Sequence, residues 1–298
     1  MNRRQLLHFM LGAAPAVWMA RAHAAATPQR VVSLSWELTE TLLALGHVPV
    51  GLSLPDWYRR TIVEPPLPEG VANIGLLYQP NFEVLRDLAP DLLILTPGHA
   101  SLKPALSRLA PTLTLGGYMD SAQPYPALLD DTRQMAQALN ATARAEQLIA
   151  GTQQLFAKPL DPALTTLPTL VADAVDGRFL RVYGQGSLFD AVMQRLGVAN
   201  GATTAGWAST LGGSALVPLQ RLAAAPLTNL LLVGPVAPDV RAALQRSPIW
   251  QALPCVRERR VAELPVIAPY GGLISLQRFA RALQTALVHT AHQEPGLV

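Results

Sequence analysis

The chain has a single cysteine among its 298 residues, and only 14% of those residues are charged. One cysteine cannot form an internal disulfide, and a cysteine-rich metal site is excluded with it. Cys255 sits in an apolar stretch, Leu253-Pro254-Cys255-Val256, which reads as a buried structural thiol. Local catalytic signatures are missing too. No Gly-x-Ser-x-Gly elbow occurs, since Gly184-Gln185-Gly186-Ser187 has the wrong spacing. Neither a P-loop nor a Gly-x-Gly-x-x-Gly turn is found. Half of the residues are hydrophobic, enough for a sizeable packed core and too many for a disordered chain.

The N-terminus reads as an address. Arg3-Arg4 precedes an apolar run over residues 6–18 that only His8 interrupts, and Ala22-His23-Ala24 follows as a small-x-small cleavage pattern. The run is too short for a membrane span. Residues 1–24 are therefore expected to be a secretory signal delivering the chain to the periplasm, and the paired arginines point to the twin-arginine route. The leader carries Arg3, Arg4 and Arg21 and no acid, so its removal takes the formal charge from +3 to zero. No basic stripe remains, which excludes a nucleic-acid partner.

The rest alternates short apolar runs with helical patterns. Residues 31–34, 92–95 and 112–115 read as strands, and residues 38–45 as a helix stopped by Gly46. After a middle with almost no strand signal, alternation resumes. Strands are expected at 169–172, 179–183 and 230–233, with helices at 188–196 and 273–288. This pattern predicts α/β layers with mostly parallel, buried strands. In the middle, residues 127–139 form one predicted helix. Asn140 is the expected cap of a second, over residues 141–158, ended by Pro159. Leu148, Ile149, Leu155 and Phe156 make its apolar stripe.

The two halves repeat an order of elements. Ala44-Leu45-Gly46 and Arg195-Leu196-Gly197 each end a helix. Pro80-Asn81-Phe82-Glu83 and Pro218-Leu219-Gln220-Arg221 each lead, past Pro90 or Pro226, to an apolar strand. Such self-similarity predicts two like lobes. The expected division is an N-terminal lobe over 25–140, a connecting helix over 141–160 and a C-terminal lobe over 161–298. A stiff helical connector argues against wide hinge closure, and the cleft between the lobes is the place for a ligand.

Direct metal binding finds little support. Outside the leader the histidines are His47, His99, His289 and His292. The last two share a helix end and read as solvated. Aromatic residues do fall near strand ends and in loops: Trp36, Trp57-Tyr58 in a loop over 55–66, Tyr78, Trp207 in a loop over 201–213, and Tyr270 before the last helix. Trp250, in an apolar turn, is assigned to structure. An aromatic, weakly charged cleft suits a bulky ligand of low net charge.

At this point the chain resembles the ferric-hydroxamate (ferrichrome-type) periplasmic binding proteins, over essentially the whole mature length. The stretches that carry the resemblance in the first half are Thr41-Leu42-Leu43-Ala44-Leu45-Gly46, Glu64-Pro65-Pro66-Leu67-Pro68 and Pro80-Asn81-Phe82-Glu83. In the second half they are Gly186-Ser187-Leu188-Phe189 and Pro248-Ile249-Trp250-Gln251-Ala252-Leu253. Each is short, and their order makes the match specific.

The resemblance implies two α/β lobes joined by a long rigid helix, the class III type, with a shallow cleft and no catalytic activity. It implies an iron–siderophore ligand, with iron arriving already chelated and no resident cofactor. The partners it implies are an inner-membrane ABC permease and its ATPase, with the chain itself a monomer. Glu83 matches an acidic permease-docking position, and the second-lobe counterpart is Gln220. The family's cleft aromatics fall on Trp36, Trp207 and Tyr270, whereas its hydroxamate-binding arginine and tyrosine fall on Leu77 and His99. Leucine cannot donate a hydrogen bond. Tyr78 or Arg178 is the candidate replacement. With Tyr58, the candidate ligand-binding residues are Trp36, Tyr58, Leu77, Tyr78, His99, Trp207 and Tyr270. The alternatives are a haem or corrinoid carrier, with His99 as axial ligand, and a secreted α/β enzyme.

Overall fold

The computed structural model describes residues 28–158, 160–207, 210 and 212–292. The expected leader with its arginine pair and the expected stop at Pro159 lie outside the described residues.

The first lobe is built on five parallel strands. In chain order come β1 (Val31–Ser33), α1 (Trp36–Ala44), β2 (Gly51–Leu52), α2 (Pro55–Thr61), β3 (Ala72–Asn73), and a small hairpin of β4 (Gly75–Leu76) and β5 (Gln79–Pro80). Then follow α3 (Phe82–Asp87), β6 (Leu92–Leu95), α4 (Lys103–Leu106) and β7 (Thr112–Thr114). The sheet order is β3-β2-β1-β6-β7, parallel throughout. Ser35 starts α1 by accepting the Leu38 N–H, as N-cap serines do. Gly46, at φ +88°, takes the left-handed turn that ends it.

Two helices cross the middle, α5 (Pro124–Ala138) and α6 (Thr142–Phe156). Their buried positions recur at helical spacing: Leu128, Thr132 and Met135 in α5, and Ala145, Ile149, Thr152 and Phe156 in α6. Asn140 does not cap α6. It sits at φ +52° just past α5, a left-handed position asparagine tolerates, so it closes the first helix instead of opening the second.

The second lobe holds β8 (Thr169–Ala174), β9 (Phe179–Tyr183), α7 (Leu188–Arg195), α8 (Gly201–Thr204), β10 (Ser214–Pro218), α9 (Leu219–Ala223) and β11 (Asn229–Val233). It ends with α10 (Pro238–Arg246), α11 (Pro248–Ala252), α12 (Pro254–Arg257), β12 (Val261–Leu264) and α13 (Leu273–Ala291). Its order, β10-β9-β8-β11-β12, matches the first sheet, but β9 pairs antiparallel with both β8 and β10. β10 has no counterpart among the expected strands, because its apolar run is only Ala215-Leu216-Val217, bounded by Ser214 and Pro218. Among the described residues no helix is long and apolar enough to cross a membrane.

The strands alternate their faces, as the pleat requires. Val32, Leu93 and Leu95 face a core private to the first lobe. Leu170, Ala172, Leu230 and Leu232 face one private to the second, which also holds Trp250 and Cys255. The opposite faces, with Val31, Leu92, Ile94, Val171 and Leu231, belong to one shared cluster. Helices α1, α5, α6, α7 and α13 fill it. Phe279 of α13, fully buried, lies 4.3 Å from Phe189 of α7. Opening the lobes widely would expose this shared apolar surface, at roughly 25 cal/mol per Å².

Phe279→Ala is expected to cost roughly 3–5 kcal/mol, the range for deleting a buried phenyl ring, measured by chemical denaturation. A loss well under 1 kcal/mol would mean that the shared core does not depend on α13.

Candidate functional site

In each sheet the chain turns back at its centre. From β1 it runs outward through β2 and β3, then returns to β6 on the other side of β1; from β8 it runs out through β9 and β10, then returns to β11. Crevices form beyond the carboxyl ends of strands at such switch points. Here the two crevices face one another across a cavity of about 260 Å³. The first lobe contributes Trp36 and Glu37, directly after β1, together with Trp57 and Arg60 of α2. The second contributes Asp173 from β8 and Tyr270 from the segment after β12.

Each wall is held in place. Trp36 is the first residue of α1, and its indole Nε1–H donates to the Ser53 carbonyl at 2.7 Å. Trp57 packs on it, ring centroids 5.7 Å apart, and the Arg60 guanidinium lies 5.4 Å from the Trp57 ring, within cation–π reach. Opposite, the Tyr270 carbonyl accepts the Tyr118 hydroxyl at 2.9 Å. Its ring lies against Gly212, where a Cβ would come 2.9 Å from Tyr270 Cε1; that position, at φ +77°, is one only glycine fills without strain.

Burial disfavours the charged form of both acids of the cavity. Burial pushes the Glu37 carboxyl up, against a hydrogen bond of 2.8 Å from Ser35 Oγ. Burial likewise raises Asp173, which accepts the Tyr183 hydroxyl. A second cavity, about 590 Å³, lies beyond Gly212 and is lined by Trp207 with Asp120, Gln185, Thr203 and Thr210. A third, about 660 Å³, runs between β12 and α13 and contains none of the aromatic candidates.

Of the candidate residues, Trp36 and Tyr270 meet in the first cavity, and Trp207 lines the second while 8% exposed. Tyr58 does not reach the cleft. Residues 55–61 form α2 instead of a loop, and consecutive helical side chains point about 100° apart. Trp57 therefore faces Trp36, and Tyr58 is fully buried between Leu43, Leu52 and Ile62, its hydroxyl donating to the Pro65 carbonyl at 2.8 Å. Pro55-Asp56, a helix-start pattern, was the available signal for Trp57.

His99 is also displaced from its expected role. It is 1% exposed and both ring nitrogens are engaged. Nδ1 accepts the Thr96 N–H at 3.1 Å and lies 2.9 Å from Thr96 Oγ1, while Nε2 lies 2.9 Å from the Leu77 carbonyl. Because a backbone N–H can only donate, Nδ1 is unprotonated and Nε2–H donates to Leu77. No nitrogen is left for a siderophore oxygen or a haem iron.

His99 instead ties down the tip of the β4–β5 hairpin. There Leu77 and Tyr78 form a two-residue turn, and Tyr78, 59% exposed, packs its ring 5.0 Å from His99. Leu77, Tyr78 and His99 line neither of the two cleft cavities. Arg178, in the turn after β8, lies beside Phe179 and likewise lines neither. Among the described residues no group of three or more His, Cys, Asp or Glu is placed to hold a metal ion. Glu83 is exposed in the first turn of α3, and Gln220 is exposed in the first turn of α9.

Comparison with known proteins places this geometry among carriers. Residues 31–268 match the family model described as periplasmic binding protein. The chain is 33% identical over 293 residues to the iron(3+)-hydroxamate-binding protein FhuD of Escherichia coli (strain K12), covering 96% of each. It is 27% identical over 281 residues to the achromobactin-binding periplasmic protein of Dickeya dadantii (strain 3937), covering 87% of each. Among solved structures, the Fe3+–Desferal-bound siderophore-binding protein FhuD from Vibrio cholerae superposes with a TM-score of 0.77. It is 26% identical, and the match covers 88% of this chain and 98% of that one. FhuD2 from Staphylococcus aureus with bound ferrioxamine B shares the fold, at TM-score 0.71 and 16% identity.

Burial pushes the His99 ring below its ordinary 6.5, so the neutral ring is the form that holds the hairpin. Its contribution to stability is complete above about 6.5 and is lost as pH falls through the lower folded value. An NMR titration of the imidazole is expected to give a midpoint below 6.5; a midpoint at or above it would contradict the burial of the neutral ring.

Proposed function

We propose that this chain, which belongs to the periplasmic binding protein family, binds an iron(III)–hydroxamate siderophore between its lobes and delivers it to an inner-membrane ABC permease. The observation that carries this reading is identity along the whole chain, 33% over 96% of both proteins, to an iron(3+)-hydroxamate-binding protein. The cleft is consistent with it. Three hydroxamates cancel the charge of a ferric ion and fill its coordination sphere, so the iron is cargo and needs no ligand from the protein. Such a complex needs apolar walls and a few hydrogen bonds. Trp36, Trp57 and Tyr270 offer the walls, and Arg60 offers a cation.

The rest of the reading follows the same lines. The family is one of binding proteins, with no catalytic step to assign. A leader over residues 1–24 exports the chain to the periplasm, and Glu83 docks on the permease. Trp207 frames the ligand from the second cavity, while Leu77 and Tyr78, which line neither cleft cavity, make no ligand contact in this reading. A haem carrier loses its support, because both nitrogens of His99 are engaged.

Tryptophan fluorescence of the mature protein is expected to quench saturably with ferrioxamine B, the ligand of one solved relative. Absence of quenching with every ferric hydroxamate tried would sink the assignment. Trp57→Ala is expected to weaken binding about tenfold, on the order of 1.4 kcal/mol, whereas Tyr58→Phe leaves it unchanged. Glu83→Arg is expected to keep the affinity and abolish iron uptake by cells that depend on this chain. Normal uptake would remove Glu83 from docking.

A further inference from the structure

Behind Tyr270 the chain turns through Gly271 and Gly272 into α13, and there one carboxylate joins the lobes. Glu40, in the middle of α1, is fully buried. Its Oε1 accepts the Ser275 backbone N–H at 2.8 Å, and its Oε2 accepts the Ser275 hydroxyl at 2.6 Å, across 235 residues of chain. The first N–H groups of a helix have no partner inside it, and the N-cap of α13 is Gly272, which has no side chain to offer. Glu40 thus supplies from the first lobe the acceptor, and the negative charge, that the second lobe lacks at this helix start.

The turn is shaped around that carboxylate. A Cβ on Gly271 would lie 2.2 Å from Ser275 Oγ and 2.7 Å from Glu40 Oε2. One on Gly272 would lie 2.7 Å from Thr41 Oγ1 and 3.1 Å from Glu40 Oε1. The residue before these glycines is Tyr270, whose carbonyl is held from the first lobe by Tyr118.

We propose that Glu40 is the positioning residue of the ligand cleft, a buried latch that caps α13 across the lobe interface and so fixes where Tyr270 stands. The link to affinity rests on the ligand-binding reading above; the latch itself does not.

The latch is titratable. Burial pushes the Glu40 carboxyl up to about 7, against the lowering effect of the Ser275 and Gly272 hydrogen bonds and of Arg278. The charged and titratable groups around it are few. Arg278 comes from α13 and is paired with Glu64. Tyr58 and Tyr118 are phenols that burial holds protonated. Glu37, one turn earlier on α1, is itself raised by burial. With an unfolded value near 4.5 and a folded value near 7, the folded state holds the extra proton in between. Stability is therefore greatest on the acid side of that window, declines as pH rises through it, and levels off above about 7.

Three variants of the mature protein test this: Glu40→Gln, Glu40→Ala and Ser275→Ala. Glutamine cannot titrate; its Oε1 still accepts the Ser275 N–H, while its Nε2–H donates to the Ser275 hydroxyl where Glu40 Oε2 accepted from it. Between about pH 5 and pH 8 the wild type is expected to lose a few degrees of thermal stability relative to E40Q. A wild-type profile that E40Q reproduces would overturn the titrating latch. Hydrogen exchange over residues 270–276 is expected to accelerate in E40A and, less, in S275A, with E40Q close to wild type. Ferrioxamine B affinity should fall about tenfold in E40A and about threefold in S275A. Wild-type exchange and affinity in both truncations would overturn the positioning role, and S275A decides it if E40A does not fold. If the wild type itself fails to bind ferric hydroxamates, the siderophore reading fails, while exchange and the pH profile still decide the latch.

Discussion

The two sheets lean on one hydrophobic core, and everything else in the molecule is arranged around that fact. Each sheet has a private face and a shared face. Between the shared faces lie five helices whose buried residues recur at helical spacing. Apolar burial is non-directional, but it is costly to undo over a large area. The lobes are therefore held at nearly constant separation by the same contacts that fold them. A cleft between such lobes is a preformed groove, and a ligand entering it has little closure to drive. Affinity must come from walls that are already in place.

Those walls reflect the same economy. Three residues of the first cavity are anchored from behind: Trp36 by the Ser53 carbonyl, Tyr270 at its own carbonyl by Tyr118, and Asp173 by Tyr183. Side chains that are already fixed lose little rotamer freedom when a ligand arrives. The cavity also holds few charged groups, Arg60 facing the carboxyls of Glu37 and Asp173. This suits a complex whose own charges cancel. The hairpin with Leu77 and Tyr78 is a separate piece of the first lobe, made rigid by a histidine that serves as a tether, not as a ligand donor.

Much of this was legible from the residues alone. Continuous apolar runs such as Leu92–Leu95 announced buried strands, and Leu-Gly helix ends marked the repeat. Other features were not legible, each for a physical reason. β10 pairs antiparallel at an edge with only three apolar residues, Ala215-Leu216-Val217, between Ser214 and Pro218, so it lacks the signal of a central strand. Asn140 looked like a helix start, yet asparagine is equally at home in the left-handed turn that ends one. Trp57 and Tyr58 stand side by side in the chain, and only a helix separates their directions.

The sequence by itself determined the two α/β lobes, the helical middle and the family, because hydrophobic period, turn residues and the order of short motifs are local and survive without coordinates. The tertiary structure alone decided which side chains meet. Whether an aromatic faces the cleft or the core depends on helix phase. Whether a histidine is available depends on who holds its nitrogens. That Glu40 caps a helix 235 residues away depends on how two lobes pack. Contacts of that kind leave no period in the chain, since they are made by folding and not by neighbours.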